Sequence, residues 1–318
     1  MKMSEKVEKF QAETTAQIIA MLETSDANWQ RPWVGGNVAM PMSLSSRKPY
    51  QGMNVIILWV KAMQRGYRCN TWGTYNAWKA KGHTVTKGET GTMITVFNSS
   101  DRKDATGNLI LDSNGSPKRV FFTGVKHVFN AEQTSAKDEY LSQLTDKKPS
   151  LAQRDADIDA FFANCGIEER DASHAFYRPS EDFVGMPSAD LFIHTATSTA
   201  TENFYSTRAH EFIHATGHGK RCDRKLASKF EKDPYAAEEL VAEIGAAILC
   251  VMLGVCPTVR EDHAKYVKGW LSVLKSDNSA IFNAASLAQK GVTWLMSQQP
   301  TGSKFRAKPT QNEEGEGE

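Results

Sequence analysis

Residues 210–214 form the motif that most restricts how this chain can fold. They read His-Glu-Phe-Ile-His, which is the pattern H-E-x-x-H. Positions i and i+4 lie on one face of a helix, so the two imidazoles can reach a single metal ion. Glu211 lies one residue off that face and can act as the general base on water instead of as a ligand. The motif predicts a helix over about 201–217 that carries part of a metal site.

A third ligand is expected from a later segment, residues 238–243, which read EELVAE. Glu239 and Glu243 are again four residues apart and share one helical face. With Glu239 on the metal, Glu243 can accept a hydrogen bond from the non-metal nitrogen of one histidine. The apolar residues around them favour a buried helix over a solvated one. Glu238 stays open as an alternative third ligand.

The order of these residues, two histidines on one helix and a glutamate on the next, resembles that of gluzincin-type metallopeptidases. The metzincin pattern needs a histidine at position 220, where this chain has lysine. His218 is open to three interpretations, an auxiliary ligand, a substrate contact or a helix-end residue beside exposed carbonyls. Two imidazoles, one carboxylate and a water suit Zn²⁺, and also Mn²⁺, Co²⁺ or Ni²⁺. We predict Zn²⁺, with the other three ions as alternatives.

Residues 174–187, HAFYRPSEDFVGMP, have the composition of strands joined by a turn. In a metal site of this type such a strand lines the cleft and holds an extended peptide. Two tyrosines, Tyr177 and Tyr205, have hydroxyls that could polarise a tetrahedral intermediate. Packing in the core is the alternative for both rings.

Basic residues are concentrated in the first part of the chain. Residues 1–130 contain 17 Lys+Arg and 9 Asp+Glu, a balance of +8, and the remainder has 21 against 28, a balance of −7. Such a split indicates two modules with different partners, and the basic module suits an anionic ligand such as nucleic acid. The alternative is a surface whose lysines serve only solubility.

Aromatic residues are interleaved with these cations. Single-stranded nucleic acid is bound by stacking its bases on aromatic rings above a positive groove. The predicted DNA contacts are Arg31, Trp33, Lys48, Tyr50, Trp72, Tyr75, Lys79, Lys81 and Lys87. Core packing is the alternative for the rings, since Trp72 and Tyr75 are spaced to hold a helix against a core.

The periodicity of apolar residues predicts an α+β chain of two domains. The first, 1–132, is expected to have helices over 4–23, 52–65 and 71–82 and strands over 92–98 and 119–129, joined by a long hairpin loop. A polar linker is expected over 133–150. The second domain, 151–300, is expected to be mainly helical, with helices near 151–164, 201–217, 234–254, 261–275 and 281–297. Residues 301–318 are expected to form a disordered acidic tail.

Several classes of protein are disfavoured by the sequence. The longest apolar run, 244–256, is too short to span a bilayer, so no membrane partner is expected. No basic-then-apolar segment opens the chain, and the five cysteines form no C-x-x-C pair. A cytoplasmic location is therefore expected. A metal-dependent nuclease is disfavoured because paired carboxylates for two metals are missing from the motif.

Two groups of segments carry a family resemblance. PYQGMNVIILW (49–59), TWGTYNAWKAKGHTVTKGETGTMITVF (71–97) and VFNAEQT (128–134) resemble the N-terminal domain of ArdC-type antirestriction proteins, which also opens certain plasmid-encoded DNA primases. DFVGMP (182–187), YSTRAHEFIHATGH (205–218) and YAAEELVAEIGAAILC (235–250) resemble the zincin-like domain that follows it.

The resemblance implies a function that composition and motif spacing alone do not indicate. Proteins of this kind are carried by conjugative plasmids and other mobile elements, bind single-stranded DNA without marked sequence preference, and shield incoming DNA from host restriction. The resemblance also implies metal ligation by His210, His214 and Glu239, with Glu211 as base. The alternative is an active zinc-dependent peptidase that acts on an unknown host protein and uses DNA as a tether. The sequence leaves open whether the metal site hydrolyses anything.

Overall fold

The computed structural model of the chain describes residues 5–23, 39–104, 106–144, 155–195, 198–225, 233–255 and 263–306. These residues divide into two compact units. The first unit contains the described residues of 5–23 and 41–144, and the second contains residues 39–40 and the described residues of 155–306. The predicted α+β fold with two domains is thus confirmed. Two of the predicted DNA contacts, Arg31 and Trp33, lie outside the described residues.

The first unit combines helices with a four-stranded sheet. Its helices are α1 (Glu5–Glu23), α2 (Met53–Arg65), α3 (Tyr75–Ala80) and α4 (Lys137–Ser142). Its strands are β1 (Met42–Ser43), β2 (Thr71–Gly73), β3 (Thr92–Asp101) and β4 (Arg119–Asn130), in the order β1-β2-β4-β3. β1 and β2 are parallel, and the other neighbours are antiparallel.

Helix α2 covers one face of this sheet. The helix is apolar on most of its surface, as expected for a buried helix. Its residues Leu58 and Ala62 pack with Trp72 of β2, Ile94 of β3 and Val128 of β4 in one core cluster. The sheet is therefore held on α2 near the bases of β3 and β4.

The helix predicted over 71–82 is wrong in its first part. Residues Thr71–Gly73 are strand β2, and the helix begins after Thr74, whose side chain accepts a hydrogen bond from the Ala77 amide at 3.2 Å. The Thr-Trp pair favours an extended backbone, and a threonine cap outweighs the apolar spacing across it.

The structure also differs from the predicted linker and tail. Gln133 and Thr134, which were placed in the linker, are buried in the first unit, and α4 follows them. At the other end, Phe305 is buried and its ring packs edge-on against Phe161 with centroids 5.7 Å apart. The packed part of the second unit thus extends past residue 300.

The second unit is mainly helical, with a small sheet. Its helices are α5 (Ala156–Asn164), α6 (Ala200–Thr216), α7 (Pro234–Leu253), α8 (His263–Ser276) and α9 (Ala280–Ser297). Its strands are β5 (Glu168–Asp171), β6 (Phe176–Arg178) and β7 (Phe183–Met186), in the order β5-β7-β6. Helix α6 packs against α7, α9 and the strands β6 and β7. No described helix combines the length and apolarity needed to cross a bilayer.

Candidate metal centre

Two capped helices supply the predicted metal ligands. Helix α6 begins with a capping box, in which the Thr199 hydroxyl accepts from the Glu202 amide at 3.2 Å and the Glu202 carboxylate accepts from the Thr199 amide at 2.8 Å. Helix α7 begins after Asp233, which accepts from the Ala236 amide at 2.9 Å. Because both helix starts are satisfied locally, the side chains farther along α6 and α7 are held in a definite register.

Three side chains from these helices converge. His210 Nε2 lies 3.0 Å from His214 Nε2 and 3.4 Å from Glu239 Oε2. His214 Nε2 lies 3.5 Å from Glu239 Oε1. Ligands about 2.0–2.2 Å from a tetrahedral ion are separated by about 3.3–3.6 Å. The two distances to Glu239 lie in this range and the distance between the two imidazoles, 3.0 Å, is somewhat shorter, so a small adjustment of one ring would let all three hold one cation. The three residues form the metal-binding group of the described part of the chain.

The outer nitrogens of both imidazoles face carboxylates. His214 Nδ1 is 3.1 Å from Glu238 Oε1, and His210 Nδ1 is 3.3 Å from Glu243 Oε1. The hydrogen bond to Glu238 favours the tautomer of His214 with its proton on Nδ1, and the charge of Glu243 near His210 Nδ1 favours the same tautomer there, although that contact is an ion-pair distance and not a hydrogen bond. The Nε2 lone pairs then point at each other and at the Glu239 carboxylate. Three electron-pair donors that face one another are stabilised by a cation between them, so the residues fit a divalent metal.

Glu238, which the sequence leaves open as a third metal ligand, lies outside the metal group. It lies against Nδ1 of His214, outside the three-residue metal group. Burial would raise the pKa of its carboxyl, but hydrogen bonds with His214 and Arg224 outweigh burial and lower that pKa. Glu238 is therefore held as a carboxylate beside His214.

Arg224 anchors Glu238 and was not identified from the sequence. Its guanidinium donates from Nε to Glu238 Oε2 at 2.9 Å and from Nη2 to Glu238 Oε1. It also donates to Thr216 Oγ1 and to the Ile213 carbonyl, each at 2.9 Å. The side chain is 1% exposed. These bonds connect the carboxylate on α7 to the last turn of α6, next to the metal-binding histidines.

Negative charge surrounds His214. Burial lowers the pKa of this imidazole, but the hydrogen bond with Glu238 and the charges of Glu211, Glu238 and Glu239 outweigh burial and raise it. Glu211 is itself buried, at 4% exposure. An electrostatic environment of this kind attracts a cation.

The two tyrosines and His218 lie outside the metal group. The Tyr205 hydroxyl donates to the Asp155 carbonyl and the ring is 1% exposed, which supports a packing role. Tyr177 donates to Asp182 Oδ1 at 2.9 Å, and His218 Nδ1 lies 3.6 Å from Asp182 Oδ2. Asp182 thus joins the small sheet to the segment after α6.

The predicted DNA contacts of the first unit differ in accessibility. Lys48, Lys79, Lys81 and Lys87 are exposed, Tyr75 is 53% exposed and Tyr50 is half-buried. Trp72 is 0% exposed and belongs to the core under α2, so the prediction that its ring stacks on a base is wrong. The residue type alone does not indicate which aromatic rings are buried and which are exposed.

An α+β unit followed by a helical unit with an H-E-x-x-H helix and a glutamate ligand defines a two-domain metalloprotein of the zincin type. Comparison with known proteins agrees with this class. Residues 8–138 match the N-terminal domain of the anti-restriction factor ArdC, and residues 156–287 match a zincin-like metallopeptidase domain. The chain belongs to the family of ArdC antirestriction proteins.

Solved structures of a relative cover both units. The metal-free crystal structure of the antirestriction ArdC protein from the R388 plasmid superimposes with a TM-score of 0.71 at 36% identity, covering 91% of this chain and 97% of that chain. The Mn(II)-bound structure of the R388 protein gives a TM-score of 0.66 at 34% identity over the same shares. The relative therefore binds a divalent metal ion.

Sequence relatives include proteins of different length. An uncharacterized protein, y4eC of Sinorhizobium fredii (strain NBRC 101917 / NGR234), is 35% identical over 288 residues, which are 90% of this chain and 91% of that protein. Two DNA primases TraC of Escherichia coli are each 34% identical, over 91% and 86% of this chain. The match spans only 27% and 19% of these primases.

Proposed function

We propose that this chain is an antirestriction protein of a mobile element that binds single-stranded DNA in the cytoplasm and protects incoming DNA from host restriction. The observation that carries the proposal is the match of residues 8–138 to the ArdC N-terminal domain, in the part of the chain with an excess of eight positive charges over residues 1–130. A cationic unit of this kind suits a polyanion.

Exposed cations of the first unit support DNA binding. Lys79 and Lys81 lie at the end of α3, and Tyr75 in its first turn exposes 53% of its surface. Lys48 and Lys87 are exposed in loops of the same unit. We propose these side chains as phosphate and base contacts, together with Tyr50, Arg31 and Trp33 as the sequence predicts.

A fluorescence anisotropy titration with a labelled oligothymidine tests the proposal. We expect binding at low salt that weakens linearly in log Kd against log salt, with a slope of about 0.7 for each phosphate contact. Oligonucleotides of other sequence are expected to bind with similar affinity, because stacking accepts every base. Absence of binding to any oligonucleotide at low salt would contradict the proposal.

A second candidate function, a metal-dependent peptidase, is favoured by the buried Glu211 beside three convergent ligands. His210, His214 and Glu239 would hold the ion, with Zn²⁺ as the proposed metal and Mn²⁺, Co²⁺ or Ni²⁺ as alternatives. When bound, a divalent ion in such a site polarises carbonyl groups and acidifies water. Glu211 is the proposed general base, and edge strand β6, packed against α6, is the proposed place for an extended peptide.

Substitution Glu211→Gln separates the two functions. The amide cannot accept the proton, and it leaves all three ligands in place, so metal content is expected to stay unchanged. If protection of DNA from a restriction enzyme persists in this variant, DNA binding explains protection. Loss of protection together with normal oligonucleotide affinity would instead favour the peptidase. His210→Ala is the matched variant that removes a ligand.

A further inference from the structure

The hairpin of β3 and β4 extends well beyond the core of the first unit. Ile94 and Val128, at its base, are 3% and 1% exposed, whereas Phe97, Phe121 and Phe122 are 87%, 62% and 43% exposed. Strand pairing continues through this part to Asp101 opposite Arg119. We define the described residues beyond the base, 96–104 and 106–124, as the arm. A regular β-ladder holds the backbone that carries these rings, and the rings themselves lie outside the core.

The strand register distributes the three rings over both faces of the arm. Phe97 lies opposite Thr123, and Phe121 lies opposite Ser99, so these two rings are diagonal neighbours on one face. Phe122 lies opposite Asn98 and therefore faces the other way. Diagonal rings at a separation of about 7–8 Å are within reach of consecutive bases of a nucleic acid strand.

Cations accompany these rings. Residues 96–103 and 117–126 contain five cations and one acid, Asp101, and all five cations are exposed. The cations are Arg102, Lys103, Lys118, Arg119 and Lys126. Within the described part of the chain, none of the five has an ion-pair partner. The strand segments that carry the rings, with Lys126 at the base of the hairpin, therefore have five cations against one acid, whereas the whole of residues 96–124 has four cations against three acids.

Two acids nearer the tip of the hairpin, Asp104 and Asp112, stabilise its turns. Asp104 Oδ1 accepts from the amides of Thr106 and Asn108 at 2.9 and 3.0 Å. Asp112 Oδ1 accepts from the amides of Asn114 and Ser116 at 2.8 and 3.0 Å. Both carboxylates organise turns of the hairpin loop. They lie in the turns of the loop and outside the strand segments that carry the rings.

We propose that the arm is the principal base-stacking surface for single-stranded DNA, a step that rests on the proposed DNA-binding function. Its rings offer π-faces and its cations offer phosphate contacts, which together are the chemistry of a sequence-tolerant single-strand site. Elsewhere in the described first unit, the large exposed ring is Tyr75. A duplex keeps its base faces stacked inside, so the arm favours single strands.

Addition of a protein strand to the edge of β3 fits less well. The Asn54 side chain hydrogen-bonds the backbone of Thr95 on this edge. It accepts from the Thr95 amide at 2.9 Å and donates to the Thr95 carbonyl at 2.8 Å. A side chain that occupies an edge in this way obstructs strand pairing at that point.

Two arm variants of the full chain test the proposal with a labelled oligothymidine. Phe97→Leu/Phe121→Leu keeps apolar side chains and removes the rings, and Kd is expected to rise about tenfold or more, since each stacked base contributes about 1–3 kcal/mol. Lys118→Ala/Arg119→Ala is expected to lower the salt slope by about 1.4, or 0.7 for each contact. The matched control, Leu191→Ala/Ile193→Ala, removes two apolar side chains of the second unit that are 66% and 70% exposed.

The outcomes separate the arm from the function on which it depends. Wild-type affinity in both arm variants, with far-UV circular dichroism unchanged, would overturn the inference while leaving DNA binding intact. A wild-type chain that binds no oligonucleotide would remove the proposed function itself. An arm variant that changes the oligomeric state in light scattering, with unchanged Kd, would show a protein contact and also overturn the inference.

Discussion

Adjacent glutamates face opposite nitrogens of one imidazole. Glu238 lies 3.1 Å from Nδ1 of His214, and Glu239 lies 3.5 Å from Nε2 of the same ring. Neighbouring positions on a helix are turned by about 100°, so both carboxylates can reach His214 only when its ring lies between them. The first orients the ring and the second completes the metal group, which gives the two residues distinct expected phenotypes.

Arg224→Gln is expected to weaken metal binding by about 10–100-fold, because Glu238 would lose the guanidinium that holds it against His214. Isothermal titration with Zn²⁺ or Mn²⁺ measures the effect. Arg170→Gln is the matched control, since Arg170 pairs with Glu168 and Glu181 at the surface and such pairs contribute about 0–1 kcal/mol. Equal metal affinities in the two variants would show that Arg224 only stabilises the fold.

Asp182 gives a prediction about pH. Burial would raise the pKa of Asp182, but hydrogen bonds from Arg221 and Tyr177 outweigh burial and lower that pKa from its ordinary value. A carboxylate with a depressed pKa stabilises the fold above its unfolded value, and the contribution is lost as the pH falls through the folded value. Asp182→Asn should therefore reduce the free energy of unfolding by about 1–3 kcal/mol at pH 7.

The difference between Asp182→Asn and the wild type is expected to narrow as the pH is lowered from 5 towards 3. Urea unfolding at a series of pH values measures it. A constant difference across this range would mean that the Asp182 charge does not contribute, and that the substitution acts through packing alone.

Individual site residues differ in how far the sequence reveals them. His210, His214 and Glu239 could be proposed because helical spacing alone places donor atoms on one face. Arg224 could not, because it follows α6 in a turn and reaches back to Glu238 on the next helix. The contacts of Glu238 depend on how α6 and α7 cross, and the spacing of residues within one helix does not reveal that crossing.

At the scale of elements, the metal ligands depend on close contact between α6 and α7. A Cβ built at Gly245 of α7 would lie 2.8 Å from Ile213 Cγ2 and 2.9 Å from its Cδ1. Ile213, which lies between His210 and His214 in the sequence, is fully buried. Its side chain therefore cannot move aside at low cost. Glycine at 245 therefore sets the separation of the two helices that carry the ligands.

Gly245→Ala is expected to lower the free energy of unfolding by about 1 kcal/mol. The overpacking costs about 1–3 kcal/mol, and the gain of about 0.8–1.0 kcal/mol in helix propensity offsets it in part. Metal affinity should fall as well, because Glu239 moves with α7. In the double variant with Ile213→Ala, the new methyl group fills part of the cavity, so the double variant should lose less stability than the sum of the singles. Strict additivity in urea unfolding would contradict a direct clash.

Elements were predictable in proportion to their length. Helices α1, α2, α6, α7 and α9 are 13–20 residues long, and their ends fall within two residues of the predicted ones. Short strands such as β1 and β5, of two and four residues, depend on their sheet partners and carry little signal of their own. Trp72 was assigned to a helix for the same reason.

The whole molecule separates its two chemistries by unit. The exposed rings and cations of the arm belong to the first unit, whereas the metal group and its carboxylates belong to the second. The charge split along the sequence already indicated this division, and the family comparison covers each unit by its own domain. Variants of the metal ligands should therefore alter metal binding without changing the charge of the first unit.

The central claim is that His210, His214 and Glu239 hold one ion. Titration of the chelator-treated full chain with Zn²⁺ and with Mn²⁺, by calorimetry with metal content checked by mass spectrometry, tests it most directly. We expect one ion per chain in the wild type, the same stoichiometry with weaker affinity in Glu238→Gln, and loss of the site in Glu239→Gln and His214→Ala. Wild-type affinity in Glu239→Gln would contradict the account.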